Sequence, residues 1–193
     1  MIGLADGVED CSALNMLILT SGTYFLADTY VTSEPTAEEL AEMALMSADH
    51  VRRFGIEPKV ALLSHANFGS SDSPSAAKVR RAMKLLHERH PELEVEGEMH
   101  ADAALDETIR NRIFPNSRLK GPANLLIFPN LDAANIAYNL AKSLGNGLSV
   151  GPILLGVAKP AHVLTTSVTA RGIVNMSAVA VVDAQDRARN RTG

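Results

Sequence analysis

The stretch Lys59-Val-Ala-Leu-Leu-Ser64 decides the fold class. It is short and apolar, with Pro58 before it and the polar loop His65 to Ser73 after it. A strand with no polar alternate positions is buried on both faces, which is the character of a parallel sheet covered by helices. Immediately downstream, Ser73 is placed as an N-cap and Pro74 at the first helical position, predicting a helix to about His90 with Val79, Met83 and Leu86 inward.

Working outward, the same alternation recurs. Upstream, Thr36 and Glu39 form a capping box ahead of the 3.6-period stripe Leu40, Ala44, Leu45, Ala48 and Val51, and Gly55 closes that helix. Before it, the apolar runs Ala13 to Thr20 and Thr23 to Thr29 flank Ser21-Gly22, read as a hairpin turn with positive φ at the glycine. Downstream, Leu93 to His100 reads as a strand, Ala103 to Arg112 as a helix, Ala123 to Phe128 as a strand, and Leu131 to Leu144 as a helix closed by Gly145. Strands alternating with helices imply an α/β fold: a three-layer α/β/α sandwich with a mainly parallel sheet. Val150 to Ala158 is a further apolar segment. From about Ser167 to Ala184 the residues Ile173, Val174, Met176, Val179, Val181 and Val182 surround a helical axis, so this element is expected to dock against something larger.

Composition narrows the function classes. A chain of 193 residues with 46% hydrophobic and 21% charged side chains is one moderate globular domain that needs neither disulfides nor a structural metal. The single cysteine, Cys11, cannot form an internal disulfide and points to a reducing compartment, the cytoplasm. The N-terminus lacks the pattern of a secretory signal, and no apolar run is long enough to span a membrane. Eighteen basic against 22 acidic residues exert no general pull on a polyanion, so neither nucleic acid nor a membrane is an expected partner. Arg187, Arg189 and Arg191 read as a frayed polar tail.

Several clusters have a plain reading beside a chemical one. The loop Ser64 to Pro74 ends at a helix N-terminus, where N–H groups can cradle a phosphate, but it lacks a P-loop ending and Asp72 opposes a second anion, so capping is preferred. His87 and His90 share a helix face without a third ligand and read as a solvated helix end. Asp102, Asp106 and Glu107 suit a helix start, and no metal site is assigned to them. Cys11 reads as an inert thiol. The segment Gly151-Pro-Ile-Leu-Leu-Gly-Val-Ala-Lys-Pro160, followed by Ala-His-Val-Leu-Thr-Thr-Ser167, is stiffened by two prolines and opened by two glycines, as a cleft-lining loop or a structural one requires.

The words YFLADTYV, PTAEELAEMAL, GIEPKVALLSHANFGS, GEMHADAALDE, GPANLLIFPNLDAANIAYNL and GPILLGVAKPAHVLT, in this order over about residues 23 to 185, resemble the phosphate acetyl/butyryltransferase family. More narrowly, VRRFGIEPKVALLSH, DAANIAYNL and Thr-Thr-Ser resemble the phosphotransacetylase-like C-terminal region of large bacterial malic enzymes. The resemblance implies a phosphotransacetylase-like fold of the isocitrate/isopropylmalate dehydrogenase kind. It implies that residues 1–165 are a second domain, carrying cleft and dimer contact, and that 166–193 are a closing helix that packs on an absent first domain, plus a polar tail. The chain is then an excised portion of a longer protein.

In active members the lysine-proline segment runs into serine and arginine, with an aspartate six residues after the arginine. Those positions are Thr165, Thr166 and Gly172 here; Arg171, beside the last, has the wrong sign for a base. Thiolate attack on an acyl phosphate needs a base and cationic donors, and losing one such donor costs about 100- to 1000-fold. No catalytic residue is therefore assigned. The resemblance implies a catalytically inactive regulatory and oligomerising domain with acetyl-CoA as effector, Lys159, Thr165, Thr166 and Asn135 being the candidate ligand contacts. NAD(P) and a divalent metal would belong to the malate-decarboxylating catalytic domain of the parent, and a dimer or larger homo-oligomer is expected. An active phosphate acetyltransferase and a purely structural dimerisation module are the alternatives.

Overall fold

A computed structural model describes residues 1–166 and 168–190. Six strands form one sheet: β1 (Ser12–Leu19), β2 (Gly22–Ala27), β3 (Val60–Leu63), β4 (Val95–Met99), β5 (Leu125–Ile127) and β6 (Leu148–Leu155). Their order is β4-β3-β5-β2-β1-β6. β3 pairs in parallel with both β4 and β5, and β5 with β2, whereas β1 runs antiparallel to β2 and to β6. Five strands thus point the same way, and β1 alone is reversed.

Among the described residues the helices are α1 (Ala37–Arg53), α2 (Pro74–Arg89), α3 (Ala101–Leu105), α4 (Glu107–Ile113), α5 (Leu131–Leu144) and α6 (Ala170–Asn190). Alternate strand residues feed two cores. Leu14, Phe25, Ala27, Val60, Leu62 and Ile127 pack with α1, α2 and the Met176–Val179 face of α6, while Leu17, Leu26, Ala61, Leu63 and Leu126 pack with α3, Ile109 of α4, and α5. The expected three-layer α/β/α sandwich is what forms. Each fully buried Leu or Phe contributes about 1.5 to 3 kcal/mol relative to exposure.

Local signals acted as expected at several ends. Thr36 and Glu39 close a reciprocal capping box, Ser73 caps α2 with Pro74 in its first turn, and Val79, Met83 and Leu86 are buried. Three expectations are corrected. The hairpin turn is Thr20-Ser21, since Gly22 pairs with Leu19, although its φ is +147°. The helix expected over 103–112 breaks at Asp106, whose carboxylate accepts the Thr108 and Ile109 N–H groups and starts α4. The expected frayed tail is helical through Asn190, so Arg187 and Arg189 lie on α6; Ser167 and Arg191 lie outside the described residues.

Candidate functional site

In open α/β sheets ligands bind outside the carboxyl ends of the strands. Here that edge gathers the loops after β2, β3, β5 and β6, together with His100 after β4. The β2 loop is built on Asp28. Its buried carboxylate accepts the N–H groups of Tyr30 (2.8 Å), Val31 (3.1 Å) and Thr32 (3.0 Å), curling the chain so that Tyr30 and Val31 face outward. Two neighbours brace the same loop: Asn15 of β1 donates Nδ2 to Thr29 Oγ1, and Asn135 of α5 donates Nδ2 to the Thr29 carbonyl at 3.2 Å.

Between this loop and the segment after β6 lies a cleft of about 170 Å³. Its lining is Ala13, Tyr30, Val31, Pro152, Leu154, Val163 and Thr165. So small and apolar a space suits the end of a ligand rather than a whole one. Thr165 lines it directly, and Asn135 acts on its wall through Thr29. Lys159 and Thr166 are exposed on the same segment without lining the cleft. The four candidate residues therefore divide into one at the wall, one behind it and two at the surface. Sequence reasoning passed over Tyr30, Val31 and Val163. The signal for the first two was an Asp-Thr-Tyr-Val run directly after a strand, where an Asx turn turns the next side chains outward.

At the segment's two glycines this protein's own chain comes close, as the structural of the two readings requires. Gly151 (φ +139°) leaves room for Asn15 Oδ1, and Gly156 (φ +79°) lies where a Cβ would stand 2.9 Å from the Asp10 carbonyl. The Gly172 N–H is held by Thr169 Oγ1 at 3.1 Å, and the residue beside it along the chain is Arg171, a cation rather than a base.

The loop after β3 is not an open anion cradle. Asn67 N–H donates to Ser70 Oγ, Phe68 N–H to the Glu98 carbonyl and Gly69 N–H to Glu98 Oε1, while Arg80 reaches the Ser71 carbonyl, Asp72 and Glu98. Its donors are spent on its own shape. His87 faces the Val95 carbonyl and His90 faces Glu92, so the pair does not converge. Asp102 accepts from the Ala103 N–H, and among the described residues no three His, Cys, Asp or Glu side chains are grouped to hold a metal. Burial and the Asp10 carboxylate push the Cys11 thiol up, away from the reactive thiolate. No helix among the described residues is long and apolar enough to cross a membrane.

The family described as phosphate acetyl/butaryl transferase matches residues 1–181. The chain is 60% identical over 186 residues to an NADP-dependent malic enzyme of Escherichia coli, covering 96% of this chain and 24% of that protein. It is 56% identical over 183 residues to an NAD-dependent malic enzyme of Rhizobium meliloti, covering 95% and 24%. Among solved structures, a phosphotransacetylase from Streptococcus pyogenes superposes with a TM-score of 0.92 at 34% identity, covering 96% of this chain and 57% of that one. The chain thus spans about a quarter of the length of the malic enzymes it matches.

Proposed function

This chain belongs to the phosphate acetyl/butaryl transferase family, and from that premise we propose that it is a catalytically silent regulatory and oligomerising region of a cytoplasmic bacterial malic enzyme, holding acetyl-CoA as an effector. The observation that carries this reading is a pairing at one segment. An apolar cleft lies behind Thr165, while Thr166 and Gly172 stand where the family resemblance calls for an arginine and an aspartate. A cleft without donors or a base binds an acyl group and leaves it unreacted. Lys159, exposed on the same segment, is assigned to a CoA phosphate, Thr165 and Thr166 to polar contacts near the thioester, and Asn135 to holding the cleft wall. Oxidative decarboxylation of malate to pyruvate, with its NAD(P) and divalent metal, is assigned to the remainder of the polypeptide. An effector that favours one arrangement of the assembly supplies a coupling of about 1 to 3 kcal/mol.

Two surfaces support the assembly role. On α5, Ile136, Leu140 and Leu144 lie one turn apart and are exposed, Leu144 by 82%. We assign this stripe to a second copy of the chain. On α6, Val174 and Val181 are exposed beside the inward Met176 and Val179, and we assign that outer face to the further polypeptide against which residues 166–193 pack.

The test is calorimetry with acetyl-CoA on the longest natural polypeptide that contains this chain, joined to an ultraviolet thioester assay with acetyl phosphate and CoA. Saturable binding with no turnover is expected. Robust turnover would establish an acyltransferase instead, and absence of binding would leave only a structural module.

A further inference from the structure

Asp183 is a buried carboxylate on the last helix, 4% exposed. A carboxylate is costly to bury unless it is paired, and Asp183 is met from two other parts of the chain. From α1, Arg53 Nη1 donates to its Oδ1 at 2.9 Å and His50 Nδ1 lies 3.8 Å away. From the segment after β6, His162 Nε2 lies 3.4 Å from its Oδ2. The His162 side chain is itself 4% exposed. Its Nδ1 accepts the Leu154 N–H at 3.2 Å, which leaves the ring proton on Nε2, facing Asp183. At 3.4 Å that contact is longer than a full hydrogen bond, and it sets the carboxylate charge against the N–H dipole of a neutral ring. Nε2 is buried without a full hydrogen bond among the described residues, and Asp183 is the charged group that faces it.

His162 thus stands between two structures. Leu154, which it holds by the backbone, lines the acyl cleft with its side chain, and Val163 and Thr165 follow His162 directly into the cleft wall. Asp183 leads the other way, to the outer face of α6. Two residues on a helix are about 200° apart, so Val181, 55% exposed, points away from the core while Asp183 points into it. A shift of α6 caused by anything docking on Val174 and Val181 moves Asp183 against His162.

We propose that Asp183 is a positioning residue which, by holding the His162 ring, sets the shape of the acyl cleft according to how α6 is docked. The ligand part of this inference rests on the acetyl-CoA reading above; the strut from α6 to Leu154 does not. By linkage, acetyl-CoA in the cleft biases the docking of α6 as strongly as docking biases acetyl-CoA.

The experiment uses the longest natural polypeptide that contains this chain, with Asp183→Asn, His162→Gln, the double variant and Arg53→Met. Asp183→Asn keeps the shape and removes the charge on which a 3.4 Å contact depends. Arg53→Met removes a different partner of the same carboxylate and serves as the control for general destabilisation. Hydrogen exchange is followed at the Leu154 amide, and acetyl-CoA affinity by calorimetry. Asp183→Asn and His162→Gln are each expected to speed Leu154 exchange and weaken acetyl-CoA by roughly fivefold or more, and the double variant to do no more than either alone. Arg53→Met is expected to lower Tm while leaving both readouts within about twofold. Additive effects, an unchanged Leu154 amide in Asp183→Asn, or equal changes in Arg53→Met would overturn the strut. Wild-type protein that fails to bind acetyl-CoA would overturn the ligand reading alone, and Leu154 exchange would still decide the strut.

Discussion

Asn15 and Gly151 lie on neighbouring antiparallel strands so close that a Cβ on Gly151 would overlap Asn15 Oδ1 and stand 3.0 Å from the Leu14 carbonyl. Asn15 is fully buried, and its Nδ2 holds the Thr29 hydroxyl in the β2 loop. The missing side chain at Gly151 therefore places a brace of the cleft. Gly151→Ala also meets a φ of +139°, which L residues rarely adopt. The variant is expected to lose about 2 to 4 kcal/mol in denaturant unfolding, and Asn15→Ala about 1 to 3 kcal/mol. A Gly151→Ala protein with wild-type stability would refute the close packing.

Arg110 is completely buried, and its two Nη atoms donate to the carbonyls of Ala103, Leu119 and Gly121 at 3.0, 3.0 and 2.6 Å. These carbonyls come from α3 and the chain leading into β5, so one guanidinium ties together the elements packed under the sheet. Arg110→Met keeps the bulk and leaves the carbonyls unpaired. A loss of about 3 to 5 kcal/mol is expected, read as a fall in Tm. Arg110→Lys, a single point charge in place of a fork, is expected to recover only part of it.

Stability should depend on pH through His50. Burial, only partly offset by Asp183 and reinforced by Arg53, His162 and Arg187, lowers its pKa from 6.5 to about 4. The unfolded chain therefore takes up this proton near pH 6.5 and the folded chain only near pH 4. Stability present above pH 6.5 falls as pH drops toward about 4, by about 3 kcal/mol in all. Asp183 is held below the usual carboxylate range, its burial outweighed by His162, His50 and Arg53, so its own contribution is lost only at lower pH still. His50→Gln is expected to flatten the melting temperature across the first window while leaving acid unfolding below it. An equally steep profile in His50→Gln would rule this out.

Leu140 lies at the centre of the exposed stripe on α5. Leu140→Glu places a charge where a partner's apolar face would lie and takes nothing from the core. Light scattering is expected to show a smaller assembly with an unchanged melting temperature for the dissociated chain, whereas an unaltered mass would move the self-association surface elsewhere.

Much of the fold was legible because its signals are local. Thr36 and Glu39 are three residues apart, Ser73 adjoins Pro74, and the inward stripe of α2 repeats within one turn. Asp106 was legible too, since Asp-Glu-Thr-Ile is an N-cap sequence, but an unbroken apolar pattern hid the break. Arg110 had no signal: a basic residue on a short amphipathic helix is ordinarily solvated, and two of its carbonyl partners, Leu119 and Gly121, come from a loop the sequence leaves unplaced.

From residue order alone came the layered α/β class, most helix ends and the family, because these depend on neighbours along the chain or on identity at a position. Which side chains meet was decided by the folded chain. Asn135 reaches Thr29 across 106 residues and Arg53 reaches Asp183 across 130. Such pairings depend on strand order and helix docking rather than on any spacing, so the brace behind the cleft and the buried carboxylate beside it exist only once the sheet has brought their elements together.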